Sequence, residues 1–326
     1  MQFRLISILK YLFVLSLAAL LLYWAFKGQD FNLLLHNLQN ANYYWIAASV
    51  LACLIAHIIR AIRWTMLIKP LGYSVSPKNA FYAVMVGYLA NLAFPRMGEV
   101  SRCGVLAKTD KVPVNQLVGT VLIERLSDLL LLLSITGLAI LLEFERIADF
   151  IYQNGWLKIQ GVFSNSLILW LLGLGVMLIT GLYLLKNVLN RLLKPFAKTL
   201  EGFKNGLLSF KKMPNRMEFL LFSVLIWFFY FLSTYLCFFA LGATSHLGLL
   251  AGLSTLVFGS LGMIVPVQGG IGAFHFMVAE GLSLYAIPKS EGLAFATIIH
   301  SSQILVILFI GGISLLMVLL GSKKHQ

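Results

Sequence analysis

Acidic residues inside an apolar run are the first place to look for chemistry. In IERLSDLL, Glu124 and Asp128 stand four apart and so share one helix face, with Arg125 about 100° round the helix. Two carboxylates so placed repel each other unless a cation lies between them or one keeps its proton. The preceding segment PRMGEVSR supplies Arg96 and Arg102, with Glu99 three residues before Arg102. A mutually neutralised network between the two segments is the economical arrangement. It either holds a broken helix in place or also grips a charged substrate. A helix beginning at the Pro95–Gly98 turn directs free N–H groups and the positive end of its dipole toward an anion. Beside Arg96 and Arg102, a phosphate or phosphodiester headgroup is the guest that fits.

A second turn, GSLGMIVPVQGGIGAFH, carries Pro266 and the glycines Gly269, Gly270 and Gly272. These glycines permit a close backbone approach and N–H contacts to an oxyanion, and tight helix packing explains them equally. They are no dinucleotide fingerprint, because no βαβ unit surrounds them. His300, followed by Ser301, Ser302 and Gln303, serves either as a substrate contact or as a polar link between helices. His57, Arg60 and Arg63 approach the end of an apolar run, where long basic side chains reach back to the interface. Cys53, Cys103 and Cys237 show no pairing or ligand spacing, and there is no HExxH, Asp-rich magnesium motif or nucleophile elbow. The expectation is no metal, no cofactor and no assigned catalytic residue.

The elements that position these groups follow from composition. The 326 residues are 60% hydrophobic and 11% charged, far from the mixture a water-soluble surface needs. The chain therefore uses lipid as its main solvent. A net charge of +13 raises the question of nucleic acid, but the basic residues interrupt apolar runs and carry no nucleic-acid motif. They read as a topology signal.

Crossing the hydrocarbon takes about 20 apolar residues. The run after Lys10 suits an uncleaved anchor better than a signal peptide, and further spans are expected at 44–68, 114–142, 166–186, 217–241 and 292–320. The stretches 79–95 and 247–267 instead run into the two Pro/Gly turns. Non-helical backbone at membrane depth survives only when packed in protein or facing a watery cavity, so both are expected as re-entrant hairpins. With cytoplasmic termini, this places most of the 25 Lys and Arg inside. Lys27, Arg146, Lys158 and Lys289 fall outside and Arg125 within a span, whereas eight plain spans would strand the block from Arg96 to Lys111 outside. The fold class is all-α integral membrane, with about six spans and two hairpins.

The order span, span, hairpin, span occurs twice. The separation of Pro95 from Pro266 carries the 44–68 span nearly onto 217–241. The copies enter from opposite sides, so residues 1–165 and 166–326 form an inverted repeat in one membrane domain, an arrangement that favours a midplane substrate site. Between them, 187–216 reads as a basic amphipathic helix on anionic headgroups, or as a solvated connector.

Through PRMGEVSR and ERLSD the chain resembles the transmembrane domain of lysylphosphatidylglycerol synthases, a flippase-like superfamily, over about residues 5–320. PVQGGIG supports the resemblance. It implies that Pro95, Arg96, Gly98, Glu99 and Arg102 form a hairpin motif, Glu124, Arg125 and Asp128 a span motif, and the three glycines a second turn. By the same resemblance, many relatives carry an arginine where His300 stands. Two-part synthases continue into a soluble aminoacyl-transferase domain, but this sequence stops at GSKKHQ, so the resemblance implies lipid handling rather than lysyl transfer.

The expected function is translocation of a phosphate-bearing lipid (a phospholipid, an aminoacylated phospholipid or a polyprenyl phosphate) through a polar cleft between the repeats. The alternatives are an intramembrane lipid-phosphate transferase, with Glu124 or Asp128 as base, and an accessory subunit of a separate synthase. The expected setting is the plasma membrane, with lipids and no nucleic acid as partners. Of 12 acidic residues, Glu99, Glu124, Asp128 and Glu280 fall in embedded stretches, and function is sought there.

Overall fold

The computed structural model describes residues 36–153 and 197–323. The expected anchor after Lys10 and the span at 166–186 lie outside the described residues, as does part of 187–216. The described residues are helical and contain no strand, and four of their helices are long and apolar enough to cross a membrane.

The first of these, α1 (Tyr43–Ile68), starts where the Asn42 side chain accepts the N–H of Tyr44. A single 3-10 turn, Lys69–Leu71, ends it. Helix α2 (Pro77–Ala93) has Ser76 as its cap and Pro77 at its first position, a pairing that starts helices without loss of a needed donor. The chain breaks at Phe94–Met97 and resumes as α3 (Gly98–Thr109). The long α4 (Val114–Leu142) follows Pro113 and leads into the short α5 (Phe144–Gln153). After the undescribed stretch come α6 (Ala197–Lys212) and α7 (Arg216–Phe238). Helix α8 (Leu249–Ile264) breaks at Val265, passes a 3-10 turn at Gln268–Gly270 and resumes as α9 (Ala273–Ser283). Helix α10 (Lys289–Lys323) closes the described chain. Four of the six expected spans thus coincide with α1, α4, α7 and α10, and the two breaks fall at Pro95 and Pro266.

The packing is reciprocal. Helices α1 and α7 lie antiparallel along each other, since Ser49 Oγ donates to the Ser233 carbonyl (2.7 Å) at one end and Arg63 donates to Ser223 Oγ (2.8 Å) toward the other. Helix α2 packs on α10 while α8 packs on α4. One core gathers Trp64, Ile68, Ala83, Cys103, Leu106 and Leu117 from α1–α4, and a second gathers Phe238, Leu282, Phe295 and Ile299 from α7–α10. Outward, α4 and α10 present leucines and phenylalanine such as Leu130, Leu141, Phe309 and Leu320, more apolar surface than a soluble protein exposes. At one end of the bundle, Tyr285, between α9 and α10, donates to Glu143 Oε2 at the end of α4 (2.8 Å).

Glycine sets how closely the broken pairs fold back. A Cβ on Gly87 would stand 2.9 Å from the Gly98 carbonyl, and one on Gly262 would stand 2.8 Å from Phe274 Cα and 2.9 Å from the Ala273 carbonyl. In both cases the obstacle is backbone, which cannot step aside. Helix α6 meets α4 in the same way. Gly202 faces Asn115, and Gly206 faces the Gln116 carbonyl and Gly119, while Lys204, Lys211 and Lys212 stay exposed. The described part of the basic segment, α6, is therefore packed on α4 along its small-residue face.

These contacts predict that Gly262→Ala lowers the thermal midpoint of the detergent-solubilised protein, at a cost of about 1–3 kcal/mol from overpacking. Gly104→Ala, with open space around its Cβ, leaves the midpoint unchanged or slightly raised. Equal midpoints for the two variants would show that the crossing is not glycine-limited.

Candidate functional site

Glu124 and Asp128 project from α4 toward the place where α1, α3 and α7 meet it. Arg60, from α1, donates through one nitrogen to Asp128 Oδ2 (2.7 Å) and Glu124 Oε1 (2.9 Å). Arg63, one turn further along α1, donates to Asp128 Oδ1 (2.8 Å) and to Ser223 Oγ of α7. Arg102, from α3, donates to both oxygens of Glu124 at 3.1 and 3.2 Å. Arg63 and Glu124 are each 0% exposed. Charges this deep persist only when opposite charges and hydrogen bonds satisfy them, and here three helices each contribute part of the set.

Aromatic faces complete the cage. The Arg102 guanidinium lies 4.7 Å over the Trp64 ring, whose N–H donates to Thr120 Oγ1 (3.0 Å). Arg63 lies over Phe219 at 5.3 Å and Arg60 over Tyr230 at 5.9 Å, within cation–π range.

Arg125 differs from the other three. Its side chain is 42% exposed, and it reaches Glu99 at 3.5 Å and Glu124 and Asp128 at 4.0 Å each, all longer than charge-assisted hydrogen bonds. In this cluster four guanidinium groups face three carboxylates. The Nε atoms of Arg60, Arg63 and Arg102, and the second terminal nitrogen of Arg102, are buried without an acceptor. The cluster is short of negative charge and of acceptors, which is the condition that favours an anion.

A cavity of about 420 Å³ opens beside it. Arg60, Arg125 and Asp128 line it together with Trp227 and Tyr230 of α7 and Met263 of α8. His57 lines the same space, its ring tilted against Tyr88 with centroids 4.6 Å apart and within 3.5 Å of Cys53 Sγ and Tyr230 Oη. The volume lies at the small end of the roughly 300–1,000 Å³ typical of small-molecule sites.

The sequence reading and the geometry differ in several places. Arg96, expected in the network, is exposed at the turn with φ 60° and has no ion pair among the described residues. The N–H of Gly98, expected to be open to an anion, is taken by Asn91 Oδ1 at 2.6 Å, and Glu99 occupies the first turn of α3. Glu280 pairs with Lys289 (2.6 Å) and stands apart from the cluster. Arg60 and Arg63, expected to reach for the interface, are the main counter-ions of Asp128. Their three-residue spacing places them near one another on α1, and that was the available signal.

The second turn is partly closed upon itself. Gly269, Gly270 and Gly272 all have positive φ, which favours glycine. The Gly272 N–H donates to His275 Nδ1 (3.3 Å), and His300 Nε2 bonds the Gly269 carbonyl (2.9 Å). His300 thus joins α10 to the turn, while its Nδ1 is buried without a partner. A Cβ on Gly269 would meet Leu92 of α2 at 2.8 Å, so the two breaks lie close together. Pro266 sits in the extended stretch between α8 and the 3-10 turn. No group of three or more metal-ligating side chains occurs among the described residues.

Asp128→Asn removes the charge that holds Arg60 and Arg63. It should destabilise the solubilised protein by about 3–5 kcal/mol, read as a fall in thermal midpoint. Arg125→Ala, which breaks only long, half-exposed pairs, should cost about 1 kcal/mol or less. A midpoint for Asp128→Asn equal to that of wild type would show that the cluster is not a structural keystone.

Comparison with known proteins places this geometry. A UPF0104 membrane protein of Methanocaldococcus jannaschii is 30% identical over 132 residues, a segment covering 40% of this chain and 37% of that protein. No solved structure matches. The family model described as lysylphosphatidylglycerol synthase TM region matches residues 7–311, and the chain belongs to that family.

Proposed function

We propose that the chain is a lipid translocase. It moves the headgroup of a phosphate-bearing lipid through the cavity between its two halves while the hydrocarbon stays in the bilayer. One observation carries this reading: a buried cluster with more guanidinium groups than carboxylates borders a cavity of about 420 Å³ between two broken helices. Arg125, half-exposed and loosely paired, is the group that takes the phosphate, with Arg60 lining the same cavity. Arg63 and Arg102 hold the carboxylates. The small volume favours a compact phosphate headgroup over an oligosaccharide.

The reciprocal packing supports an inverted repeat of residues 1–165 and 166–326. Helices α1, α2–α3 and α4 then correspond to α7, α8–α9 and α10, with α2–α3 and α8–α9 as re-entrant hairpins entering from opposite faces. Such repeats bind substrate near the midplane between discontinuous helices. The distribution of basic residues supports cytoplasmic termini, in a plasma membrane whose anionic lipids, and a separate synthase that modifies them, are the proposed partners. The family supports lipid handling as the setting.

The test is reconstitution of the purified protein into vesicles holding phosphatidylglycerol labelled on a short acyl chain, with a membrane-impermeant reductant outside. Label from the inner leaflet becomes accessible faster than in protein-free vesicles. Arg125→Ala slows this about tenfold, the effect of losing one charge-assisted contact, while its thermal midpoint stays near wild type. A rate equal to that of protein-free vesicles overturns the proposal. A rate unchanged by Arg125→Ala removes Arg125 from it.

A further inference from the structure

The polar cavity adjoins a second space of opposite character. Between α4, α7 and α8 lies a groove of about 220 Å³, walled by Leu131 and Ile135 on one side and by Val224 and Phe228 on the other. Trp227 and Leu256 belong to the walls of both the groove and the cavity. Val224 and Phe228 are exposed, on a helix that is apolar enough to span the membrane. The groove therefore faces hydrocarbon, while the cavity beside it faces Arg60, Arg125 and Asp128.

Trp227 marks the boundary chemically as well. Its side chain is buried, yet its indole N–H has no hydrogen-bond partner among the described residues. A buried tryptophan N–H is ordinarily satisfied, and tryptophan suits places where one side is apolar and the other polar. Arg125, half-exposed and held by no carboxylate nearer than Glu99 at 3.5 Å, lines the same cavity.

We infer that cavity and groove form one amphiphile site: the headgroup phosphate sits at Arg125, one hydrocarbon chain lies in the groove, and the oxygen-bearing junction between them meets Trp227. This rests on the translocase reading and names the binding mode of its substrate. A free phosphate would satisfy the arginine and leave the groove to bulk lipid. A neutral hydrocarbon would fill the groove and leave the guanidinium excess unanswered. An anionic lipid does both, and its ester oxygens supply the acceptor that the indole lacks. The two spaces share a wall, so headgroup and chain remain in register, and the chain need not leave the hydrocarbon while the headgroup is bound.

Trp227 provides its own reporter. Its contribution is obtained as the difference in fluorescence between wild type and Trp227→Phe. It is read in phosphatidylcholine vesicles containing a small, increasing fraction of phosphatidylglycerol with brominated chains. The expected result is quenching at a mole fraction about tenfold lower than when phosphatidylcholine carries the bromine, with Arg125→Ala bringing the two values together. Val224→Phe, which fills the groove from its lipid-facing rim, weakens the quenching by either lipid. Excess soluble glycerol phosphate leaves the quenching in place.

Equal quenching by both brominated lipids would mean ordinary boundary lipid and would overturn the inference. Absence of quenching by either would mean that another part of the chain covers the groove, with the same consequence. Reversal by glycerol phosphate would assign the anion pole to a soluble phosphate and remove the chain from the site. Selective quenching without movement of labelled lipid keeps the amphiphile site and overturns translocation. Movement that needs Arg125, without selective quenching, does the reverse.

Discussion

Asp128 and Glu124 cannot be buried in an apolar bundle unless cations are brought to them, and much of the interior follows from meeting that condition. Arg60 and Arg63 come from α1, Arg102 from α3, and Ser223 Oγ of α7 accepts a further hydrogen bond from Arg63. The helix that bears the acids is thereby tied to the broken segment before it and, through Arg63, to the second half. Inside a low-dielectric region the penalty for a missing partner is large, so the cluster acts as a registration device for four helices. Its charges do not balance, however. The most exposed of the four guanidinium groups is Arg125, which lines the cavity together with Arg60.

The glycines are the steric counterpart of this electrostatic tie. Gly87 and Gly98 let α2 and α3 fold back closely enough for Arg102 to reach Glu124, and Gly262 does the same for α8 and α9. Side chains such as Asn91, His275 and His300 hydrogen-bond backbone groups of the breaks, so irregular backbone finds partners within the protein. Both turns are therefore built as closed structural units. The anion-seeking chemistry lies beside them, in the wall of the cavity.

Much of this could be read from residue order. Long apolar runs located α1, α4, α7 and α10 almost to the residue, since hydrophobic length is a local property. Pro95 and Pro266 marked the breaks for the same reason. The four-residue spacing of Glu124 and Asp128 identified the acids, and the need for cations nearby was correct. The wrong choices were among the cations. Arg96 and Arg102 are neighbours in sequence, yet the left-handed backbone at Arg96 turns the chain so that only Arg102 enters the cluster.

What the sequence by itself determined is the solvent, the number and length of the described spans, the positions of the breaks and the presence of costly acids within the membrane. Each depends on composition and spacing along one segment. What only the tertiary structure decided is which distant charges meet. A basic residue near the end of an apolar helix satisfies itself equally well by reaching water or by meeting a buried carboxylate, and its own helix cannot distinguish the two. The packing of α1 between α4 and α7 makes that choice for Arg60 and Arg63. It leaves Arg125 facing the cavity, and the groove beside Trp227 exists only because three helices, separate in sequence, converge there.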